Sequence, residues 1–419
     1  MTGKAVSSPL TLALLSALWM IVNTNRLTAA AFVGASSIMA DFGITAGLAG
    51  LLVAAYFPAY GALQLPVGLL LDRVAPRGIL LWAVALLAAS NLLFALAPEV
   101  DWAIAARAAV GLSSGPVFLS CVKICSDLSL RHYPRRVGLL VTAGSVGTIA
   151  GLGGLPWMLA LWPWRTVALL LVVPLVLLLP FVALTPLPHP AERERKRLGD
   201  LLGSLGPQVR STSFWWLALP ATTWCGAYFG VLAWLPRFAR DILEVDPQFT
   251  GVLPGLFSIG LLVGGVLAGS IQSRWRPLGP WLFYGGGLLF ALAVAVLPAL
   301  HGLGAGGLLY LLAPLMGLLF GAFFTWMGLI SELVPRAQLG TVTGLLNGLT
   351  FVPSFVDPWL TGAILDLVDR PTIANPTYSA AAYSSGFLIL AVSMALGLLG
   401  GAIFGRAGVA AKRSAPLPS

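Results

Sequence analysis

The sequence predicts an all-α integral membrane protein with twelve transmembrane helices in two pseudo-symmetric six-helix bundles. Three observations predict this class: an apolar composition, a series of long apolar runs, and an internal repeat. Of the 419 residues, 58% are hydrophobic and only 9% are charged, whereas globular domains average about 25% charged residues. Such a chain cannot bury its apolar surface within itself, so we expect a lipid bilayer around it.

Twelve apolar runs are each long enough to cross a bilayer, whose hydrocarbon core requires about 20 apolar residues of helix. We expect helices rather than barrel strands, because the runs are long and lack the alternation of roughly ten-residue β segments. In chain order the predicted spans are 10–38, 46–71, 77–98, 102–128, 136–158, 164–186, 213–237, 249–272, 277–299, 305–331, 339–365 and 382–405.

The second half of the chain repeats the first at an offset of 201 residues. This offset aligns several turn residues, namely Gly50 with Gly251, Gly68 with Gly269, Arg73 with Arg274 and Pro76 with Pro277. We therefore predict an N-terminal six-helix bundle over 1–186, a linker over 187–212, and a C-terminal bundle with a short tail over 213–419. The charged linker is either a short interfacial amphipathic helix or a solvated connection.

The distribution of basic residues predicts the orientation of the chain. If the N-terminus is cytoplasmic, seventeen of the 24 Lys and Arg residues fall in cytoplasmic segments, four fall outside and three lie within the membrane. Basic residues accumulate on the cytoplasmic side of membrane proteins. We therefore expect a multi-pass protein of a bacterial cytoplasmic (inner) membrane with both termini and the linker cytoplasmic, and the net charge of +9 does not argue for nucleic-acid binding.

Residue types that carry catalysis or hold cofactors are sparse. The three cysteines and three histidines do not have the spacing of metal ligands, and no nucleophile and base occur at usable spacing. No glycine-rich phosphate loop is present, which argues against an ATP-driven pump. We expect no enzymatic activity, no metal and no cofactor, and a monomer with a small-molecule substrate.

A charged turn interrupts the apolar sequence between the second and third predicted spans. It reads Gly68-Leu-Leu-Leu-Asp72-Arg73-Val-Ala-Pro-Arg77-Gly78 and resembles motif A of the major facilitator superfamily, G-x-L-x-D-R-x-G-R-R/K. The resemblance implies a cytoplasmic loop in which Asp72, Arg73 and Arg77 take part in gating by stabilising the outward-facing state. The second copy is degenerate, because Ser273 stands where the first has Asp72.

Two further patterns resemble signatures of the same superfamily. Arg107 begins an R-x-x-x-G-x-x-x-G string in the fourth span that is similar to motif B, which implies a coupling role; the alternative is an arginine that reaches the headgroup region. In the fifth span, Gly138, Gly147 and Gly151 keep the glycine spacing of motif C. Leu152 replaces the proline expected in proton-drug antiporters, which disfavours drug efflux.

The first span most resembles the anion:cation symporters, which are organic-anion carriers of this superfamily. The resemblance rests on Arg26 in the middle of the span and on the exit sequence Met39-Ala-Asp-Phe-Gly-Ile-Thr45. It implies an organic anion as substrate and a proton as coupling ion. Asn25 and Ser114 stand where that family commonly has acidic residues, so its usual proton-binding acid is missing.

Arg26 is the strongest candidate for the substrate site on physical grounds as well. It lies sixteen residues from one end of its span and twelve from the other, which is about 18 Å from the nearer interface at 1.5 Å per residue. Its charge must therefore be met inside the protein, and a guanidinium offers a fork of donors suited to a carboxylate or phosphate. Asn23 shares its helical face. The alternative is a structural ion pair with another helix.

Polar and aromatic residues recur at helical spacing in three other spans. Asp357 lies deep in span eleven and is either a proton carrier or the counter-ion of Arg26 or Arg107. The other predicted contacts with substrate are either cavity-lining residues or simple helix packing; they are Tyr56, Tyr60 and Gln64 in span two, Trp224 and Tyr228 in span seven, and Asn347 and Ser354 in span eleven.

These observations together predict a secondary transporter that moves a small organic anion across the membrane by alternating access with proton symport. One alternative is a proton-coupled efflux antiporter of hydrophobic or cationic compounds, which would require acidic residues in the N-terminal half of the cavity. A second alternative is a non-transporting member of the family that acts as a receptor or scaffold.

Overall fold

The structure is a computed structural model that describes residues 8–35, 37–71, 74–128, 133–185, 206–302, 306–334, 339–369 and 377–414. The N-terminal half contains α1 (Ser8–Arg26), α2 (Thr28–Ala35), α3 (Ile38–Asp41), α4 (Ala46–Ala54), α5 (Tyr56–Ala62), α6 (Gln64–Leu71), α7 (Pro76–Ala95), α8 (Val100–Leu128), α9 (Tyr133–Ile149), α10 (Leu155–Leu161), α11 (Trp164–Leu170) and α12 (Val172–Leu184).

The C-terminal half continues with α13 (Thr212–Leu243), α14 (Pro247–Thr250), α15 (Val252–Arg274), α16 (Gly279–Val296), α17 (Ala299–Gly302), α18 (Leu309–Gly321), α19 (Trp326–Leu333), α20 (Leu339–Asp369) and α21 (Ala380–Ser414). We call the side of the molecule on which α1 begins the terminus side, and the opposite side the far side. Residues 187–205 of the predicted linker, which contain its proposed amphipathic helix, and the motif A residues Asp72 and Arg73 fall outside the described residues.

Ten segments of the described chain are long and apolar enough to cross a bilayer, and they coincide with ten of the twelve predicted spans. The second predicted span is instead divided among α4, α5 and α6, with breaks at Ala55 and Leu63. The seventh lies in α13, which is 32 residues long and contains two prolines. Large apolar side chains such as Trp82 and Leu184 are 80% and 81% exposed, as expected of helices that face lipid.

The first predicted span is not one continuous helix. It is broken at Leu27, between α1 and α2. The Arg107 side chain reaches across from α8 and donates hydrogen bonds to the carbonyl oxygens of Asn25 and Arg26 at 3.0 and 2.7 Å. These carbonyls belong to the last turn of α1, where carbonyl groups have no partner further along the helix, and the Thr28 hydroxyl also donates to the Asn25 carbonyl at 2.9 Å. The break is thus stabilised in part by a cation at a helix C-terminus.

The glycines that resemble motif C allow two helices to approach closely. A side chain at Gly147 or Gly151 would meet the backbone of Met20 or Thr24 in α1. At this contact the Thr24 hydroxyl donates to the Gly147 carbonyl at 3.0 Å. Directly after α9 the chain continues as a π-helical turn over Ala150–Gly154, at the position where the expected proline is replaced by Leu152.

The two halves of the chain meet on the far side. Helix α2 packs against α13, where a side chain at Gly34 would meet Pro236. Helix α4 packs against α20, where a side chain at Gly50 would meet the backbone of Pro358. The membrane-embedded halves are therefore joined on this side by close helix contacts between small residues.

Candidate functional site

A cavity of about 280 Å³ lies between the two halves of the chain. Its wall includes the end of α1 at Arg26 and extends towards the terminus side along α9, α19 and α20, to Val141, Met327 and Asn347. The contacts between α2 and α13 and between α4 and α20 lie on the other side of Arg26. The cavity thus occupies the terminus-side part of the interface between the halves.

Arg26 lies in this cavity within a group of aromatic rings from both halves, which we call the aromatic cage. Its guanidinium carbon lies 4.9 to 5.9 Å from five ring centroids, those of Tyr56, Phe57, Tyr60, Phe229 and Phe351. Guanidinium groups are attracted to aromatic faces at such distances. The rings therefore stabilise the buried positive charge without neutralising it.

No carboxylate lies within ion-pair distance of Arg26 in the described part of the chain. Its Nε atom is buried and makes no hydrogen bond there. A buried charge without a partner is costly, so the site is suited to an anion that enters the cavity. The predicted alternative of an ion pair between Arg26 and another helix is not what this conformation contains.

Arg107 occupies a different environment from Arg26. It is 1% exposed, and besides the two α1 carbonyls its Nη1 atom donates to Thr28 Oγ1 at 3.2 Å. Because it binds the carbonyl of Arg26 itself, Arg107 fixes the backbone from which the Arg26 side chain projects. Its predicted coupling role stays a prediction, and its contacts in this conformation are with backbone and hydroxyl groups.

The packing of α5 against α8 determines the positions of the tyrosines in the second span. A side chain at Gly111 would meet the carbonyl of Tyr56, and one at Gly115 would lie 3.3 Å from the carbonyl of Tyr60. The motif B glycines therefore let α5 approach α8. Tyr60 lines the cavity, whereas Tyr56 is fully buried and its ring lies 5.8 Å from the Arg26 guanidinium and 5.6 Å from that of Arg107.

The C-terminal half contributes a wall of parallel rings. Tyr228 stacks on Phe320 with centroids 4.0 Å apart, and Phe320 stacks on Phe323 at 5.0 Å. Tyr228 lines the cavity. Trp224 does not, because one turn earlier in α13 its ring is buried among Phe283, Phe290, Phe320 and Phe323.

Asp357 lies in α20 beside α13 and outside the cavity lining. Its side chain is buried, its Oδ2 atom makes no hydrogen bond in the described part of the chain, and a side chain at Gly226 would meet that oxygen. It forms no ion pair with Arg26 or Arg107. The predicted role as their permanent counter-ion is therefore wrong for this conformation, because the carboxyl faces α13 instead.

The structure sorts the remaining predicted contacts into two groups. Asn23 and Asn347 line the cavity with Arg26, Tyr60 and Tyr228. Four predicted contacts do not line it because they pack between helices: Tyr56, Gln64, Trp224 and Ser354. Of the motif A residues, Arg77 is exposed and Asp72 and Arg73 are not described.

Sequence reasoning missed most of the aromatic wall. Phe229 and Phe351 complete the cage around Arg26, and Phe118, Phe320 and Phe323 line the cavity. Apolar rings in apolar helices give no sequence signal that separates cavity lining from packing. For Phe229 and Phe351, the adjacent Tyr228 and Thr350 were the sequence features that indicated a polar cavity nearby. The described residues contain no cluster of three or more His, Cys, Asp or Glu side chains that could hold a metal ion.

The far side is closed by a helix cap that joins the two halves. The Asp366 carboxylate of α20 accepts hydrogen bonds from the backbone N–H groups of Ala46 and Gly47 at 3.0 and 2.7 Å. The Tyr378 hydroxyl donates to Asp366 at 2.7 Å and accepts from Ala46 N–H at 2.8 Å. Thr45, the residue that precedes α4, makes no capping bond with its own side chain. A carboxylate of the C-terminal half thus caps a helix of the N-terminal half.

The exit sequence after the first span is also part of the far-side structure. The Met39 thioether accepts a hydrogen bond from Arg237 at 3.3 Å, and Arg237 pairs with Asp241 at 2.8 Å. Asp41 accepts hydrogen bonds from Trp164 Nε1 at 2.8 Å and from Ser37 at 3.0 Å. These residues hold the far-side end of the first span against both halves of the chain.

Known proteins similar to this chain are membrane transporters. An uncharacterized MFS-type transporter YdgK of Bacillus subtilis is 27% identical over 56% of this chain and 58% of its own length. A probable L-galactonate transporter of Escherichia coli is 23% identical over 79% of this chain and 77% of its own. A gallate transporter of Pseudomonas putida is 26% identical over 58% of this chain and 61% of its own.

Solved structures share the whole fold. A bacterial homolog of the human lysosomal transporter Spinster, in an inward-facing and unoccupied conformation, superposes with a TM-score of 0.77 at 17% identity, covering 99% of this chain and 100% of the other. A mutant of the nucleoside transporter NupG superposes with a TM-score of 0.72 at 14% identity, covering 94% of this chain and 99% of the other. The family model described as Major Facilitator Superfamily matches residues 13–358. The chain therefore belongs to the Major Facilitator Superfamily and is a multi-pass membrane protein.

Proposed function

We propose that this protein is a secondary transporter that carries a small organic anion, together with a proton, across the cytoplasmic membrane by alternating access. The observation that carries the proposal is Arg26, a cation without an acidic partner among the described residues, in a cavity between the halves of the chain. Intramembrane ionisable groups mark substrate and ion pathways. A carboxylate would accept the in-plane hydrogen bonds that the Arg26 guanidinium leaves unused.

Two relatives support an organic anion as the substrate class. Their names specify L-galactonate and gallate, and both compounds are carboxylates. At identities of 23% and 26% they support the charge of the substrate but do not identify the compound. The cavity of this chain is consistent with that charge, because Arg26 is the charged residue in its lining.

The position of the cavity supports alternating access. It lies on the terminus side of the contacts that join α2 to α13 and α4 to α20, and the basic residues predict that this side is cytoplasmic. We therefore interpret the conformation as inward-facing, and the solved relative with the TM-score of 0.77 is described by the same word. In the opposite state the Asp366 cap would open, and the motif A residues would close the terminus side.

We assign the proton to Asp357. Its carboxyl is buried and forms no ion pair among the described residues, as required of a group that can bind and release a proton. It lies beside Gly226 in α13, next to Cys225 of the cavity lining. Movement of α13 against α20 during the transport cycle would change its environment and so its affinity for a proton.

The two alternative functions make different demands on the cavity. Efflux of cationic compounds requires a negative site, whereas the charged lining residue of this cavity is Arg26. A receptor or scaffold that does not transport would bind an organic anion without moving it. Measurements of binding and of uptake on the same purified protein therefore separate the three functions.

A thermal-unfolding screen of the purified protein is the first test. Organic acids, sugar acids, amino acids and cationic drugs are compared, because a ligand of the folded state stabilises it by about 2.7 kcal/mol at about 100 times its Kd. We expect stabilisation by one or more organic acids. This effect should be largely lost in Arg26→Lys, which keeps the charge but loses the planar guanidinium that can bind a carboxylate through two hydrogen bonds. Stabilisation by cationic drugs alone would contradict the proposal.

A further inference from the structure

We propose that the substrate is an aromatic monocarboxylate, whose carboxylate binds Arg26 and whose ring lies between the aromatic walls of the cavity. The inference rests on the proposed function and specifies its substrate class. Four features of the cavity support it. They are the number of positive charges in its lining, the aromatic rings of its walls, the hydrogen bonds that its hydroxyl groups already donate, and its volume.

Among the described residues, the lining of the cavity offers one positive charge. Arg26 is the charged residue among the 22 that line it, and Arg107, the other buried arginine nearby, uses its Nη atoms on backbone carbonyls and Thr28. A dicarboxylate would place its second charge against apolar or neutral groups and would lose its hydration without compensation. The charge of the site therefore fits a monoanion.

The walls are built from aromatic rings on both sides. Nine of the 22 lining residues are Phe, Tyr or Trp. In the N-terminal half Trp19 packs against Phe118 with ring centroids 4.5 Å apart. In the C-terminal half the stack of Tyr228, Phe320 and Phe323 forms the opposite wall. A planar ring gains offset-stacked and edge-to-face contacts between such walls, which a saturated ring of the same size cannot make.

The four Ser and Thr hydroxyl groups of the lining already donate hydrogen bonds within their own helices. Ser145 donates to the Val141 carbonyl at 3.1 Å and Ser258 to the Pro254 carbonyl at 2.8 Å. Thr148 and Thr350 likewise donate to the carbonyls of Gly144 and Asn347, at 3.1 and 2.6 Å. These oxygens can still accept from a ring hydroxyl, but they cannot also donate to the many oxygens of a sugar acid. These four groups therefore offer a polyhydroxylated chain acceptors but no donors.

The size of the cavity fits a single ring. A volume of about 280 Å³ lies at the lower end of the range of about 300–1,000 Å³ that drug-sized ligands occupy. Benzoate, with one ring and one carboxylate, is the simplest compound that combines this size with the charge and the walls.

The experiment compares matched ligands on the purified protein by calorimetry. Benzoate is compared with cyclohexanecarboxylate, which has the same charge and nearly the same shape without the π system, and with gluconate and succinate. Because aromatic pairs contribute beyond their buried area, we expect benzoate to bind about fivefold tighter than cyclohexanecarboxylate. Gluconate and succinate should bind weaker than both by about tenfold or more, because they leave polar groups or a charge unpaired.

Substitutions of Phe351 test whether this preference depends on the aromatic cage. Phe351→Leu removes a ring that faces Arg26 and should reduce the preference for benzoate over cyclohexanecarboxylate to about twofold or less. Phe181→Leu is the matched control, because Phe181 is 60% exposed on the outside of the molecule, and it should keep the full preference. Phe351→Tyr, which retains a ring, should keep it too and covers the case in which Phe351→Leu does not fold.

The outcomes separate the two proposals. If no carboxylate binds, the proposed function fails. If carboxylates bind and depend on Arg26, but cyclohexanecarboxylate, gluconate or succinate binds as tightly as benzoate, the organic-anion function stands and the aromatic inference is wrong. An unchanged benzoate preference in a well-folded Phe351→Leu protein would also overturn the inference.

Discussion

The two deep arginines of the N-terminal half differ in what their guanidinium groups contact. Arg107 is fully buried and donates to two backbone carbonyls at the end of α1. Arg26 is half-buried among aromatic rings and faces the cavity. One arginine thus completes the structure of the helix break, while the other retains its hydrogen-bonding capacity for a ligand.

This difference predicts opposite effects on stability. Arg107→Gln should lower the free energy of unfolding by about 1.5–3 kcal/mol, since hydrogen bonds to charged groups contribute that much. Arg26→Gln should change it little, because it removes a charge without an acidic partner. Thermal unfolding of both purified variants in the absence of ligand measures the two effects. A larger loss of stability in Arg26→Gln than in Arg107→Gln would show that the assignments are reversed.

Asp357 is expected to act on coupling rather than on binding. Asp357→Asn imitates the protonated carboxyl permanently, so a proton gradient should no longer drive accumulation of substrate. Exchange of substrate for substrate should persist in part, because it does not return an empty, deprotonated carrier. Proteoliposomes with and without a pH gradient measure both activities. Full accumulation by Asp357→Asn under a proton gradient alone would remove Asp357 from the coupling mechanism.

At the scale of elements, closure of the far side depends on a cap between α20 and α4. Asp366 satisfies two N–H groups at the start of α4, and its negative charge is favourable at a helix N-terminus. Because the cap joins the two halves, it contributes only to states in which the far side is closed. A ligand or mutation that changes its strength must shift the population of those states.

Asp366→Asn should therefore favour opening of the far side. Loss of about 1.5 kcal/mol from the charged hydrogen bonds corresponds to roughly a tenfold shift in the population ratio. Spin labels at the exposed far-side positions Glu99 and Glu244 should report a larger fraction of long distances. Asp369→Asn is the matched control, since Asp369 in the same helix binds only Ser379 of its own half among the contacts of the described residues. Equal distance distributions in both variants would argue against the cap.

The sequence predicted the elements well and their interruptions poorly. Ten predicted spans coincide with apolar helices, because bilayer thickness imposes one strong requirement on every crossing. The break at Leu27 was not predicted, since it depends on hydrogen bonds from Arg107, which is 81 residues from Arg26. Arg26 itself could be predicted because depth in an apolar run is a local property. The aromatic cage could not, because it depends on which of many helix faces meet.

For the whole molecule, the proposed transport cycle requires that the terminus side faces the cytoplasm. The cavity lies on the terminus side, and the contacts that close the interface between the halves lie on the far side. The side from which a substrate reaches the cavity therefore depends on which side is cytoplasmic. In intact cells, a cysteine at Glu99 should react with an impermeant thiol reagent, whereas a cysteine at Arg210 should react only after permeabilisation. Both positions are exposed, and the native Cys121, Cys125 and Cys225 are buried. The reverse labelling pattern would invert the topology and the interpretation of the conformation as inward-facing.

We propose that the protein moves an organic anion through a site that contains Arg26. Uptake of the organic acid that stabilises the purified protein most is measured in proteoliposomes containing either the wild-type chain or Arg26→Lys. We expect saturable uptake by the wild type and, in Arg26→Lys, substrate binding weakened by about 2–3 kcal/mol, because a bidentate, charge-assisted contact is lost. Binding without uptake in the wild type, or equal uptake by Arg26→Lys, would contradict it.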